Sequence, residues 1–483
     1  MKSLATAIIS LGAAILPLAP CQDEYDYVVI GSGPGGGPLA VNLAKAGYSV
    51  FVIEAGDERP SEGNWSYHVE VTGDESWSSE NTMTIFQPIE HNNYLSAGNA
   101  GRGFNGFFQT YMATSQDQTE SIYGLVTHAY SDGDRYRSRD YIQSGVQGGF
   151  NLTVSLNSLA LRVLLDTESA CGGERPRATG VEYLEGKSIY EADRRRTESS
   201  AGTKKAVTAR REIIVSGGVF NSPQILMLSG IGNCTHPEDV GVECLHDLPG
   251  VGQHLMDNQE MPIVGSGSAG FGSAGVSMIK TKHPAYGDRD MILMGGPGFL
   301  FRGFWPSNPI YQSQDPASVY GVSVVKGASV NSGGWVKLKS NDRTETPEIN
   351  FNHFAVGSEY NLEAMKDTVA WARTIYNKVG ITPTEPPCSC GEEDEAWIRK
   401  QTFGHHPTST CRIGADDYAM VVLDSKFRVR GVDGLGMVDA SAFARIPGVF
   451  PAVSTFTISQ KASDDMLAEI EAGEAIEECS ATA

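Results

Sequence analysis

Three glycines and a glutamate carry the plainest chemistry in this sequence. Gly31, Gly33 and Gly36 stand at G-x-G-x-x-G spacing within residues 25–54, YDYVVIGSGPGGGPLAVNLAKAGYSVFVIE. Such a loop grips a dinucleotide. Gly31 permits the tight turn, Gly33 lets the backbone approach a pyrophosphate, and Gly36 lets helix and strand pack closely. The helix N-terminus adds free N–H groups and a partial positive charge. Glu54 closes the next apolar run, where a carboxylate takes the ribose hydroxyls. The loop alone leaves NAD and FAD both open. A second constellation, Cys388, Cys390, His405, His406 and Cys411, invites a zinc reading. Its C-x-C spacing is not that of a zinc finger, and we expect no metal site.

These groups need elements to hold them. Residues 27–30 form an apolar run suited to a buried parallel strand. Ala40, Leu43 and Ala44 recur at helical spacing up to Gly47, and residues 49–53 make a second strand. The stretch 135–142 starts a helix, and 151–165 reads as two short strands about a turn at Asn157-Ser158. Residues 167–206 are charged and turn-rich, and their densest charge run, 191–196, predicts a solvated loop. Residues 211–215 form a buried strand. The next helix is expected to start at Ser222-Pro223, with Ser as N-cap and Pro at its first position, and to stop at Gly230. A period-2 strand falls at 335–339. Residues 358–378 make an amphipathic helix carrying Leu362, Met365, Val369, Trp371 and Ile375. Short strands follow at 427–429 and 435–438, then a terminal helix at 455–472. Nucleotide strands therefore lie at the start, middle and end of the chain. That argues for a discontinuous nucleotide domain with a second domain inserted into it.

At 483 residues the chain exceeds one ordinary core. Its 40 % hydrophobic and 20 % charged residues suit a globular protein. A net charge of −21 argues against nucleic acid or an anionic membrane as partner. Residues 1–19 resemble a secretory signal, with Lys2 before an apolar stretch and Pro17-Leu18-Ala19 as the cleavage site. Acceptor tripeptides at Asn64, Asn151 and Asn233 fit a glycoprotein on a lumenal or secreted route. Eight cysteines are few for a disulfide scaffold, and Cys234–Cys244 is the nearest plausible loop. Residues 473–483 form an acidic tail. No later stretch is long and apolar enough to cross a membrane.

Residues 218–232, GVFNSPQILMLSGIG, resemble the second signature of the glucose–methanol–choline (GMC) flavin oxidoreductases, with only Val219 departing. The nucleotide loop, 248–257 (LPGVGQHLMD), 334–349 and 403–467 are similar to the same family. The likeness spans most of 23–467. It implies an α/β fold: a Rossmann-like FAD domain (23–60, 151–265, 410–470) and an α+β substrate domain on an antiparallel sheet (61–150, 266–409). It implies FAD as cofactor and oxidation of a small-molecule alcohol to a carbonyl, with O2 or a quinone as reoxidant. The family's base is the histidine of H-x-x-G-T. Here the region reads His405-His406-Pro407-Thr408-Ser409-Thr410, which places His406 as the base and Ser409 at the usual glycine. Imidazole suits the task, since it accepts a proton in one half-reaction and returns it in the other. His405, next along a strand, is expected to face the opposite way. The resemblance also puts Ala160 by the adenine, and Asp439 and Ala440 by the flavin.

Two departures stand against the family pattern. Its first signature, a Gly-Gly-Ser-Ser-like loop, is absent between Asp57 and Trp77. The second polar residue of the reacting centre, His or Asn, is replaced by Phe450 beside Pro451. An apolar segment there favours an aromatic or polyketide-like alcohol of fungal secondary metabolism. A truncated paralogue with impaired FAD binding, or a non-redox lyase or cyclase holding FAD as structure, would share these features.

Overall fold

The computed structural model describes residues 24–56, 79–99, 101–112, 122–123, 126–127, 137–167, 175–268, 275–285, 289–298, 316, 318–327, 329–386, 391–448 and 450–473, and every structural statement below concerns these. The expected signal, Asn64, the shortened stretch 57–77, Cys388, Cys390 and residues 474–483 lie outside them.

β1 (Glu24–Ile30), α1 (Gly36–Lys45) and β2 (Val50–Glu54) open the chain as the apolar runs require. After α2 (Ser79–Ile89) come α3 (Ser138–Gln147), β3 (Leu152–Leu156), β4 (Ser158–Asp166), β5 (Arg177–Glu185), β6 (Thr203–Val215) and α4 (Gly218–Leu228). Then follow β7 (Glu260–Ser266), β8 (Gly275–Ile279), β9 (Met291–Pro297), β10 (Val319–Lys326), α5 (Ser358–Lys378), β11 (Thr382–Glu385) and α6 (Gly391–Gln401). β12 (Leu435–Met437) and α7 (Pro451–Ala472) end the described chain.

One sheet runs β3-β2-β1-β6-β5-β4, with β12 paired to β6. β3, β2, β1, β6 and β12 are parallel, while β5 pairs antiparallel with both β6 and β4. Val28, Val29, Val50, Val52, Ile213 and Val215 are fully buried. Strands covered on both faces need such continuous β-branched runs. This sheet draws strands from the start, middle and end of the chain, as the discontinuous Rossmann-like fold requires. A six-stranded antiparallel sheet, β11-β7-β10-β9-β8 followed by 122–123, builds a second apolar core against α5 and α6.

Several elements differ from the sequence expectations. The run 191–196 lies in turns as expected, but β5 and the first four residues of β6 fall in the charged, turn-rich stretch around it, where no strand was expected. The charges there pair across strands: Glu182 faces Lys204 at 2.6 Å and Arg162 at 3.6 Å, and Lys205 faces Glu185 at 2.6 Å. Opposite charges on neighbouring strands support a sheet that local composition conceals. α3 was expected in the substrate half, yet it packs on α1. There Tyr141 takes a bond from Lys45 and donates to Asn42 at 3.0 Å. α5 matches its expected bounds, but Trp371 and Ile375 are 39 % and 37 % exposed. The buried stripe runs Leu362, Met365, Val369, Ala372, Tyr376, and the two outliers sit one position off it.

α4 begins at Gly218, four residues before the expected Ser222 cap, so Pro223 lies inside it. Proline lacks the N–H that would bond to the carbonyl four residues back. The Thr410 hydroxyl donates to that Val219 carbonyl at 2.7 Å, and the gap is filled from the far end of the chain.

Candidate active site

The glycines pack as the loop spelling demands. Gly31 has φ of 97°, in the left-handed region, and a Cβ there would overlap the Ser216 carbonyl. A Cβ on Gly36 would overlap the Gly31 carbonyl, and one on Gly35 that of Val438. A Cβ on Gly33 would meet nothing within 4 Å, so that backbone faces open space. Glu54 turns back to the loop: Oε2 accepts from the Ser32 N–H at 2.8 Å and its hydroxyl at 2.6 Å, and Oε1 from the Gly56 N–H at 2.7 Å.

Asp439 ties the C-terminal segment to the same floor. Its Oδ2 accepts from the Gly218 N–H at 2.9 Å and the Ser222 hydroxyl at 2.5 Å, and Oδ1 from the Ser441 N–H at 2.7 Å. A carboxylate at the start of α4 also meets the positive end of that helix.

A cavity of about 420 Å³ runs over this floor. Gly31, Gly33, Glu54 and Ala160 line it at one end, and Asp439, Ala440, His405 and Pro407 elsewhere. Gly36 is not on its wall, in keeping with a packing role. Gly33, with its open backbone, Glu54 and Ala160 on β4 all border this cavity, so the residues expected to hold a dinucleotide are brought together. The first-signature loop falls outside the described residues.

His406 is brought to this region but not onto the cavity wall. It is 2 % exposed, and the Phe450 ring meets it edge-on with centroids 4.9 Å apart. Its backbone N–H donates to Asp257 at 2.9 Å, and its Nδ1 has no partner. Burial, with a lesser push from His405, lowers its pKa to about 3. His405 does not face the opposite way. The two rings lie 3.9 Å apart, and His405 Nδ1 is 3.1 Å from Glu260 Oε2.

A bulge explains the correction. The segment pairs through bridges Phe403–Glu260 and Thr408–Met256. Four residues (404–407) therefore oppose three (257–259), and an extra residue breaks the alternation of side chains. Gly404 sits where a Cβ would overlap the Asp257 carboxyl. Desolvation raises Asp257 to about 8, against bonds from the His406 and Asn258 N–H groups that lower it. Ser409 has φ of 77°, which accounts for the glycine usual at that place.

The sequence offered no signal for Asp257 or Glu260 as neighbours of the histidines. Residues 257–260 (DNQE) are all buried to 2 % or less. Four consecutive polar residues buried together would have been the clue, and burial is not written in composition. Of the suggested zinc set, Cys388 and Cys390 lie outside the described residues. Cys411 is a buried thiol pushed well up by desolvation.

Family models for the GMC oxidoreductases match residues 74–260 with their N-terminal part and 330–459 with their C-terminal part. This chain belongs to the GMC oxidoreductase family. Its cofactor is FAD, and the family acts on CH–OH groups. The oxygen-dependent choline dehydrogenase of Pseudomonas putida is 25 % identical, covering 92 % of this chain and 94 % of the relative. That alignment is 556 positions long against 483 residues here, so the relative carries segments with no counterpart in this GMC protein. The choline dehydrogenase of Sinorhizobium medicae is 32 % identical over 61 % of the chain and 56 % of the relative. Among solved structures, a formate oxidase superposes with a TM-score of 0.76 at 18 % identity, covering 94 % of this chain and all of that one. A fungal aryl-alcohol oxidase gives 0.70 at 15 %, covering 93 % and all of that chain.

Proposed function

We propose that this GMC protein oxidises an alcohol to a carbonyl, with His406 taking the hydroxyl proton. The observation that carries the reading is the cavity that joins the Gly31–Gly33 grip to His405, whose ring centroid lies 3.9 Å from that of His406. Bound FAD supplies the hydride acceptor. Burial, which lowers its pKa to about 3, keeps His406 unprotonated across the working pH range. Pro451 and Ala452 on the wall, and Phe450 against the His406 ring, make this end apolar. An aromatic or polyketide-like alcohol of fungal secondary metabolism matches such a surface. The reoxidant is O2 or a quinone.

A second reading gives the proton to His405, which lies on the wall and faces Glu260. The test is anaerobic bleaching of the yellow FAD-loaded protein by a panel of aromatic and aliphatic alcohols, in wild type, His406→Ala and His405→Ala. Loss in the first variant alone supports His406, and loss in the second alone supports His405. A colourless protein that FAD cannot reconstitute sinks both, and colour without bleaching by any alcohol leaves a structural flavin.

We also propose that the chain enters the secretory pathway. Residues 1–19 have the composition of a signal, Cys234 and Cys244 form a disulfide, and Asn151 and Asn233 are exposed for glycosylation. Expression in a secreting host followed by N-terminal sequencing and glycosidase treatment tests this.

A further inference from the structure

Glu260, His405 and His406 meet at one point although the chain brings them from distant segments. A carboxylate oxygen and one nitrogen of each ring all lie within 4.8 Å of one another. The 3.1 Å between His405 Nδ1 and Glu260 Oε2 suits two ligands of one cation with bonds of about 2.0–2.2 Å. Glu260 is fixed from its other oxygen by the Ser323 hydroxyl and from its backbone by Phe403. His406, 2 % exposed, has its Nδ1 buried with no hydrogen-bond partner. Buried polar atoms left so ask for a ligand. Two imidazoles and one carboxylate make the donor set of open-sided zinc and related divalent sites. The cavity wall at His405, whose side chain is 36 % exposed, provides the way in.

We propose that Glu260, His405 and His406 bind a divalent cation of the zinc type, with water completing its coordination. The carboxylate replaces the cysteines that the sequence set beside these histidines. An imidazole whose lone pair is on a metal cannot take a proton. Occupancy therefore silences His406, and the site is an inhibitory one. The inhibition rests on the reading of His406 given above, whereas the binding does not.

The experiment is calorimetric titration of ZnCl2 into the chelator-treated, FAD-loaded full chain. Saturable binding of one Zn2+ is expected, weakened about 10–100-fold in His405→Ala. That variant is chosen because its side chain is partly exposed, whereas Glu260→Gln alters a buried group and risks the fold. Co2+ in place of Zn2+ should give visible absorption bands in wild type and lose them in His405→Ala, independent of turnover. No saturable binding up to ~1 mM Zn2+, or equal affinity in His405→Ala, overturns the site. Binding that leaves alcohol bleaching unchanged overturns the inhibition. If no alcohol bleaches the flavin, the function proposed above falls and calorimetry still decides the site.

Discussion

At the nucleotide end of the cavity, the polar atoms of Glu54 and Asp439 already accept three hydrogen bonds apiece from the protein. At the histidine end, Asp257 Oδ2, Gln259 Oε1 and His406 Nδ1 are buried with no hydrogen-bond partner. Each such atom costs about 1–3 kcal/mol. The first end is finished by folding and presents a shaped backbone. The second stores unsatisfied groups, which is the usual state of a place where a ligand or reacting atom completes the structure.

The contrast breaks most sharply at His406. His406→Ala should slow flavin reduction by ~10²–10⁴-fold, read by anaerobic stopped-flow absorption. In wild type, the rate should hold level well below pH 6.5 on the acid side, since burial keeps the base neutral down to about 3. A fall centred on 6.5 would mean an ordinary, solvated imidazole. At the other end, Gly36→Val should leave the protein colourless or unfolded, because any Cβ there overlaps the Gly31 carbonyl. The checks are visible absorption and circular dichroism.

Glu54→Gln keeps the shape but removes the charge. Its FAD affinity should drop ~10–100-fold by fluorescence titration, from the loss of about 1.5–3 kcal/mol of charge-assisted bonding. An unchanged affinity would show that Glu54 serves only to brace Ser32.

The pH dependence of stability sharpens the picture of the unsatisfied end. His406 binds its proton at 6.5 unfolded and about 3 folded, so it lowers stability as pH falls from 6.5 to 3. Asp257 releases its proton at 3.8 unfolded and about 8 folded, so it lowers stability as pH rises from 3.8 to 8. From about 4 to 6.5 the two slopes oppose each other. Above 6.5 only Asp257 acts, and thermal midpoints should decline toward pH 8. Asp257→Asn should remove that decline in differential scanning calorimetry.

The smallest effect is expected at Ser409, which holds a left-handed φ beside the histidines. Ser409→Gly relieves that strain and should stabilise by about 1 kcal/mol in urea denaturation, unless its bond to Thr408 at 2.9 Å offsets the gain.

Much of the nucleotide end was legible before folding. The strand, turn, helix and second strand of 25–54 are neighbours in sequence, and hydrophobic period with glycine spacing encodes such local units directly. The family blocks carried Ala160, Asp439 and Ala440 to the cavity wall. Less legible was β5, whose charges suggest solvent until Lys204 and Arg162 are set across from Glu182. The start of α4 was hidden for a like reason, since Thr410 supplies what Pro223 withholds.

By itself, then, the sequence determined the dinucleotide grip, because short-range spacing and residue chemistry suffice for it, while its resemblance to the GMC family supplied FAD and singled out His406. Only the tertiary structure decided that the two histidines share a side, that His406 is shut in by Phe450, and that Asp257 and Glu260 stand beneath them. Those facts come from one extra residue in a bulge and from contacts between segments far apart in the chain. Burial and register of that kind arise when the whole chain packs, and no local pattern records them.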